Sequence, residues 1–517
     1  MTRSSKIARL VAVVAALGWL GLTLSLLARR FGYPYDLEWM EGGELCHALR
    51  LLDGKPLYAP PSVDFIPYLY TPLYPALLAA LAKLFGLGYR LGRAVSILST
   101  LGATVAGYRF AARHGGSRAA ALVAMALPAA AYVRTGTFYD LVRPDALWLF
   151  LTTAAVLLVY RAARPSDDGR ARPAAPPSRR HLTIALAALL FVAAFYAKQT
   201  ASVFMVGAAI ALVFLDWRLV PTFGATLAAV GLPALWLSNR ASDGWFWIYV
   251  SRLHRGHDFF AARAFGETPL VLAAIVGPAL LVIPWALARR RSPALGYAAW
   301  MALVGAAASC LGFGTQWAYV NAYIPGVFFP SLAIGVAAGR LVTASEERVP
   351  RLRPAVVFAL CAASLALRAH DCLFIVGGKP FSPAHVDEGQ VRPLVPTDGD
   401  RAAGDRLVAR LRAAPGEVLI PFHPFYAHLA GKRTWLHRMG VMDVERGGLG
   451  VPRGLAEAIR ERRFALAIFD NKVAGNWEMW PGLRATYREV EPSVGPPVVS
   501  GAVTWPQFAL MPRYEEP

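Results

Sequence analysis

The sequence reads as a mostly α, polytopic transmembrane helical bundle of about eleven spans, closed by a small C-terminal extracytoplasmic α/β domain. Three features carry that reading: an excess of apolar residues, their grouping into runs of bilayer length, and a switch to mixed polar sequence near the end. Of 517 residues, 56% are hydrophobic and 17% are charged, against roughly 25% charged in an ordinary soluble chain. So much apolar surface must be buried somewhere, which excludes a disordered chain. Cys46, Cys310, Cys361 and Cys372 are too few in so long a chain for a disulfide scaffold. The net charge of +20 sits largely in short clusters between apolar runs, such as 161–180 and Arg289-Arg290-Arg291. That is the positive-inside pattern of a membrane protein. No zinc spacing, aromatic-basic repeat or basic helix points to a nucleic-acid partner.

A membrane helix needs about 20 apolar residues. The first run, 7–28, follows Arg3 and Lys6 and lacks a clear small-residue cleavage site before Arg29, so it reads as an uncleaved anchor. Further runs cover 91–111, 119–132, 146–160, 182–197, 200–215, 219–237, 270–288, 294–312, 323–338 and 355–376. The stretch 72–85 is short, bounded by Pro72 and Gly86 and interrupted by Pro75 and Lys83. Read as an interfacial or re-entrant helix, it places Arg109, Arg113 and Arg118, the basic 161–181 linker, and Arg289 to Arg291 on the side of the amino terminus. That choice satisfies the charge bias throughout. A break at Lys198-Gln199 keeps the same parity. The expected location is a bacterial inner membrane, with the amino terminus cytoplasmic. The loops 29–90, 134–145, 239–269 and 313–321 then face outside, as does the tail. Residues 1–378 form the membrane domain and 379–517 the tail domain. The Pro-, Ala- and Arg-rich part of the linker, 166–180, reads as disordered. In the tail, 405–413 and 454–463 are helix-like, and 417–421 and 464–470 strand-like. No internal repeat of the transporter kind is visible.

The first external loop places Asp36, Glu38, Glu41 and Glu44 within nine residues, directly after a span. Acids held near a low-dielectric surface have raised pKa values and serve as general bases; a solvated acidic helix start accounts for them equally well. Tyr70 and Tyr74 lie in a dense Tyr/Pro run that suits either an interfacial aromatic belt or a platform for a lipid head group. Arg143 and Asp145 stand at the edge of the next span, with Asp140 just before them. An ionisable residue at that depth is a functional candidate, and guanidinium suits phosphate; a local Arg–Asp helix cap is the simpler account. Lys198 must snorkel, pair or face a cavity. His254 and His257 give half of a metal-site spacing without further ligands. The tail's His423, His428 and His437 are weaker signals, and Trp435, Trp477 and Trp480 fit either sugar stacking or a small core. A Gly-rich phosphate loop and a nucleophile elbow are both lacking.

In combination these elements resemble the polytopic GT-C glycosyltransferases, in particular bacterial relatives of protein O-mannosyltransferases and lipid A aminoarabinose transferases. The resemblance covers roughly the first 375 residues and rests on the order of its elements. An anchor leads to the acidic loop, then Gly54-Lys55-Pro56-Leu57-Tyr58, Tyr70-Thr71-Pro72-Leu73-Tyr74, Phe85-Gly86 and Arg93. Arg143-Pro144-Asp145, Lys198-Gln199-Thr200 and Asn321 follow. It implies a transferase that moves a hexosyl or pentosyl group from a polyprenyl-phosphate donor to an extracytoplasmic lipid, glycan or protein, with inversion. Aligned on Gly54 to Tyr58, the family's first-loop Asp-Glu pair falls on Met40 and Glu41. Either Glu41 acts alone, or Asp36 or Glu38 takes the missing Asp role. The second-loop acid maps to Asp145, with Asp140 in reserve. Arg143 and Lys198, with Gln199, would hold the departing phosphate, while Tyr70 and Tyr74 guide the lipid. His254, His257 and Asn321 would contact substrate. No cofactor is required by these residues, although a divalent cation assists some distant members. The rival reading is a transporter or flippase of lipid-linked glycans; the acidic loop outside the membrane favours the enzyme over it. A catalytically inert scaffold presenting the tail is a third reading, prompted by Met40.

Overall fold

The computed structural model describes residues 2–163, 176–343, 353–371, 394–471, 477–492, 495–502 and 504–514. The boundary expected at 378/379, Cys372, and most of the linker lie outside these residues. Of the stretch 166–180 read as disordered, residues 177–180 already belong to the helix Pro177–Ala197.

Among the described residues, eight helices are long and apolar enough to cross a membrane, rather than about eleven. The difference has identifiable sources. Tyr89–Gly115 carries Arg90, Arg93, Arg109 and Arg113 and falls below that standard, and Arg118–Ala130 is too short. Ala201–Arg240 counts once, yet Asp216 takes an extended backbone and divides it where two runs were read. Val320–Thr343 is the axis of the bundle, with 94% of its apolar window buried. Close packing around it depends on small residues. A Cβ added to Gly339 would lie 2.7 Å from the backbone of Gly115, so the two backbones meet there directly.

The chain alternates between two ends of the bundle. At one end, Arg180 donates to Ala162 O (2.8 Å) and pairs with Asp216, while Arg340 donates to Arg290 O (3.2 Å) and His114 O (3.4 Å). At the other end, Thr71 Oγ1 donates to Phe195 O (2.8 Å) and the Gln199 amide to Leu69 O (2.6 Å). Leu73–Phe85 belongs wholly to this second end. At 13 residues it is about 20 Å long. The helix that follows it begins at Tyr89, whose ring packs on Phe425 of the tail domain. The helix break falls where a polar pair interrupts the apolar run: Lys198 is extended (φ −158°, ψ 130°) and ends Pro177–Ala197.

The tail folds onto this second end. Its sheet has the order β1 (Glu417–Leu419), β2 (Phe464–Asp470), β4 (Pro506–Pro512), β3 (Tyr487–Val490), with β1/β2 parallel and the other pairs antiparallel. The helices Asp398–Ala413 and Leu455–Arg460 and the strands β1 and β2 occupy the four stretches read from the pattern. Trp435 and Trp480 are core residues, edge-on to Phe464 (5.3 Å) and Phe469 (4.9 Å), and Trp477 packs on Phe469.

Candidate active site

A cavity of about 970 Å³ lies between the second end of the bundle and the tail domain. The first loop enters it at Glu38. Residues 33–40 are not helical, because Glu41 is where the helix Glu41–Leu52 begins. Glu38 and Glu41 therefore do not share a helix face, and their side chains part. Glu38 lines the cavity. Its Oε2 accepts from the Met40 N–H (3.2 Å) and stands 3.4 Å from Arg143, and its Oε1 has no hydrogen-bond partner among the described residues. Burial pushes the Glu38 carboxyl up, Arg143 opposes that shift, and the balance is a pKa of about 7.

Arg143 extends from the loop before Asp145–Ala163 and also donates to the Tyr70 hydroxyl (2.9 Å). Asp145, the first residue of that helix, faces the same cavity but does not pair with Arg143. Its Oδ1 accepts from Lys198 Nζ (2.6 Å) and Asn321 Nδ2 (2.9 Å) instead. The guanidinium carbon of Arg143 and the ammonium of Lys198 lie 5.4 and 5.9 Å from the centre of the Tyr70 ring. Two cations thus flank one phenol, each with its own carboxylate. His254 Nε2 contacts Leu69 O (3.0 Å), and burial lowers its pKa to about 4, so it stands there neutral. His257 Nε2 is 3.3 Å from Asp443 Oδ1 of the tail, without the alignment of a hydrogen bond.

Four expected site residues lie elsewhere. Glu41 is fully buried and accepts from Arg93 Nη2 (2.7 Å), Arg93 Nε (3.2 Å), Leu37 N (2.6 Å) and Val142 N (2.8 Å). Both oxygens are consumed in holding the loop to the bundle. Asp36 accepts from Gly42 N (2.8 Å) and bonds His423 Nδ1 (2.7 Å), whose Nε2 contacts Asp470 (2.9 Å). Burial works against charge on His423, but Asp470 and Asp36 outweigh it and raise its pKa to about 10. Asp140 is tied to Arg30 (2.7 Å) and Tyr132 (2.8 Å), and Tyr74 packs against Gly92 and Ser96. The structure therefore gathers Glu38, Asp145, Arg143, Lys198, Gln199, Tyr70, His254, His257 and Asn321 around one cavity. Sequence reasoning missed the tail's share of the wall, which includes Arg438, Met439 and Gly501. It also missed Trp317, whose positive φ of 60° marks a strained turn that no motif signals. Among the described residues, no group of three or more His, Cys, Asp or Glu is placed to hold a metal ion.

No protein-family model and no curated protein sequence matches the chain. Among solved structures, ArnT from Cupriavidus metallidurans bound to undecaprenyl phosphate superposes with a TM-score of 0.60 at 14% identity, covering 96% of this chain and 97% of that one. The chain has the GT-C fold. The oligosaccharyltransferase of Archaeoglobus fulgidus in its apo form shares this fold at a TM-score of 0.53 and 11% identity, over 92% of this chain and 71% of that one. The ArnT match extends over the tail as well as the bundle. The GT-C likeness thus reaches beyond the 375 residues on which the sequence resemblance rested.

Proposed function

We propose that the chain is an integral membrane glycosyltransferase that moves a sugar from a polyprenyl-phosphate donor to an extracytoplasmic acceptor, inverting the anomeric centre. The observation that carries this reading is the cavity pairing of Glu38, with an unengaged oxygen, and two cations flanking Tyr70. ArnT, which shares the fold, is seen with undecaprenyl phosphate. The donor phosphate would lie against Arg143 and Lys198. The acceptor hydroxyl or amine attacks the anomeric carbon from the opposite face, the bond from that carbon to the phosphate oxygen breaks, and the acceptor proton passes to Glu38. Negative charge growing on the leaving phosphate is met by Arg143 and Lys198. Asp145, itself bonded by the Asn321 amide, holds Lys198 in place, and Gln199 fixes the break that presents it. A divalent cation is not assigned a role, since each cavity acid at the phosphate side already faces a cationic side chain.

The end of the bundle away from the cavity carries Arg3, Lys6, Arg113, Arg118, Arg179, Arg289 and Arg290. That asymmetry supports a cytoplasmic amino terminus and an extracytoplasmic cavity and tail, as in a bacterial inner membrane. The test is sugar transfer from a panel of labelled polyprenyl-phosphate sugars to crude envelope acceptor, in membranes containing the protein. Glu38→Gln and Lys198→Met are expected to abolish transfer at unchanged expression. Transfer at the unmodified rate in Glu38→Gln would overturn the assignment of the base, and glycolipid flipping without transfer would overturn the class.

A further inference from the structure

The tail domain does more than cover the cavity, for it grips the three residues that end in Glu38. Asp36 is bonded by His423. The Leu37 carbonyl accepts two backbone bonds from the tail, from Val499 N (3.0 Å) and Ser500 N (2.8 Å). Glu38 then stands directly against Gly501. A Cβ added to Gly501 would lie 2.8 Å from Glu38 Cγ and 3.3 Å from its Oε1. Gly501 itself has φ +71°, and its carbonyl accepts from the Tyr319 hydroxyl (3.2 Å). Its neighbour Ser500 is bonded by Arg30 (2.7 Å) and lies 2.5 Å from Thr137 Oγ1. The segment is thus pinned to the bundle on one side and to the loop on the other. A seat anchored in this way cannot drift to make room for a larger residue.

We propose that residues 499–501 of the tail form the seat of the Glu38 carboxylate, with Gly501 a positioning residue for the transfer reaction. The chemical role of Glu38 rests on the function proposed above; the seat itself does not. With no side chain at 501, the Glu38 stem lies flat against the tail, and its carboxylate reaches Arg143 and the Met40 N–H while leaving Oε1 to the cavity. A methyl group at 501 would push the stem away and lengthen the contact with Arg143. The carboxylate would lose its opposing cation while staying buried, and its protonation would move to higher pH.

The experiment uses the full chain in lipid nanodiscs and compares Gly501→Ala with Gly431→Ala. Gly431 is a tail glycine with φ +73° and nothing within 4 Å of an added Cβ. The control therefore carries the same backbone strain without the contact. Carbodiimide-driven amine labelling of Glu38, read by mass spectrometry across pH, reports its protonation whether or not a substrate is known. The labelling midpoint is expected to rise by about half a pH unit or more in Gly501→Ala only. Where transfer is measured, kcat is expected to fall about 10- to 100-fold in that variant, with the donor KM within about twofold. Identical midpoints in the two variants would overturn the seat. Full transfer by Glu38→Gln alongside a shifted midpoint in Gly501→Ala would instead overturn the base and keep the seat, so the two failures are separable.

Discussion

Glu41 is the acid that alignment with the family favours as the base, yet its surroundings make it a fastening. Replacing it by Gln removes the charge opposite Arg93 and sets an amide NH2 against a backbone N–H that now donates to Oε1 or Oε2. Arg93 keeps its bonds to Tyr33 O (2.5 Å) and Tyr35 O (2.6 Å) but loses its counter-charge in a site with no exposure. Breaking a buried pair from one side costs about 3–5 kcal/mol. At about 2.1 cal/mol/K per residue, the unfolding entropy of a chain this long is about 1.1 kcal/mol/K, so the midpoint should fall by about 3–5 °C. Glu38→Gln also leaves a buried arginine, Arg143, without its carboxylate. That carboxyl is raised to about 7 and is already partly uncharged near neutral pH, and its contacts are longer at 3.2 and 3.4 Å, so the midpoint should fall by less than in Glu41→Gln. Both are read by intrinsic fluorescence during heating in detergent, alongside transfer activity in the same preparation. The expected pattern is Glu41→Gln unstable but with transfer per folded molecule retained, and Glu38→Gln less destabilised but inactive. A Glu41→Gln protein that melts normally and transfers nothing would refute the reasoning and return the base to Glu41.

Because burial raises Glu38 to about 7, transfer should climb with pH through that value as the carboxylate forms, and a flat profile from about pH 6 to about 8 would contradict a base of this kind. His423 is held at about 10, above the 6.5 of a free imidazole. Its stabilising contribution is then complete below about pH 6.5 and lost as pH rises toward 10. The gap in melting temperature between the unmodified chain and His423→Gln should accordingly narrow over that window; a gap independent of pH would mean the imidazole is neutral. Lys198→Met removes one charged contact to phosphate, worth about 1.5–3 kcal/mol. Undecaprenyl phosphate should therefore bind about 10- to 150-fold more weakly in a lipid-pulldown or calorimetric titration, and undiminished binding would place the phosphate elsewhere.

What the sequence makes legible here is whatever has a local physical cause. Lipid burial writes itself into runs of apolar residues, so most spans can be read directly. Proline and glycine at its ends mark off Leu73–Phe85 as too short to cross, and Gly86 does take a left-handed φ of +76°. A lysine between two apolar runs signals the break at Lys198 for the same reason. The tail's β3 and β4 are harder to see, since β4 begins and ends on proline and finds its partners only through the sheet.

The roles of the acids have no such local signature. Each acid of the trio is assigned by a partner far along the chain: Glu41 by Arg93, 52 residues away, Glu38 by Arg143, 105 away, and Asp36 by His423, 387 away. A spacing of three would put Glu38 and Glu41 on one face only if the stretch were helical, and the helix starts at Glu41. The departure at Met40 acquires a physical meaning in this light. Met40 lines the cavity where the family's pair would place its aspartate, and its N–H donates to the Glu38 carboxylate. A turn before the helix, closed by the Glu41 N–H on Glu38 O (2.9 Å), carries the acid from two positions upstream into the same space. Loss of the motif residue is thus not loss of the carboxylate, and the reading of an inert scaffold loses the observation that prompted it.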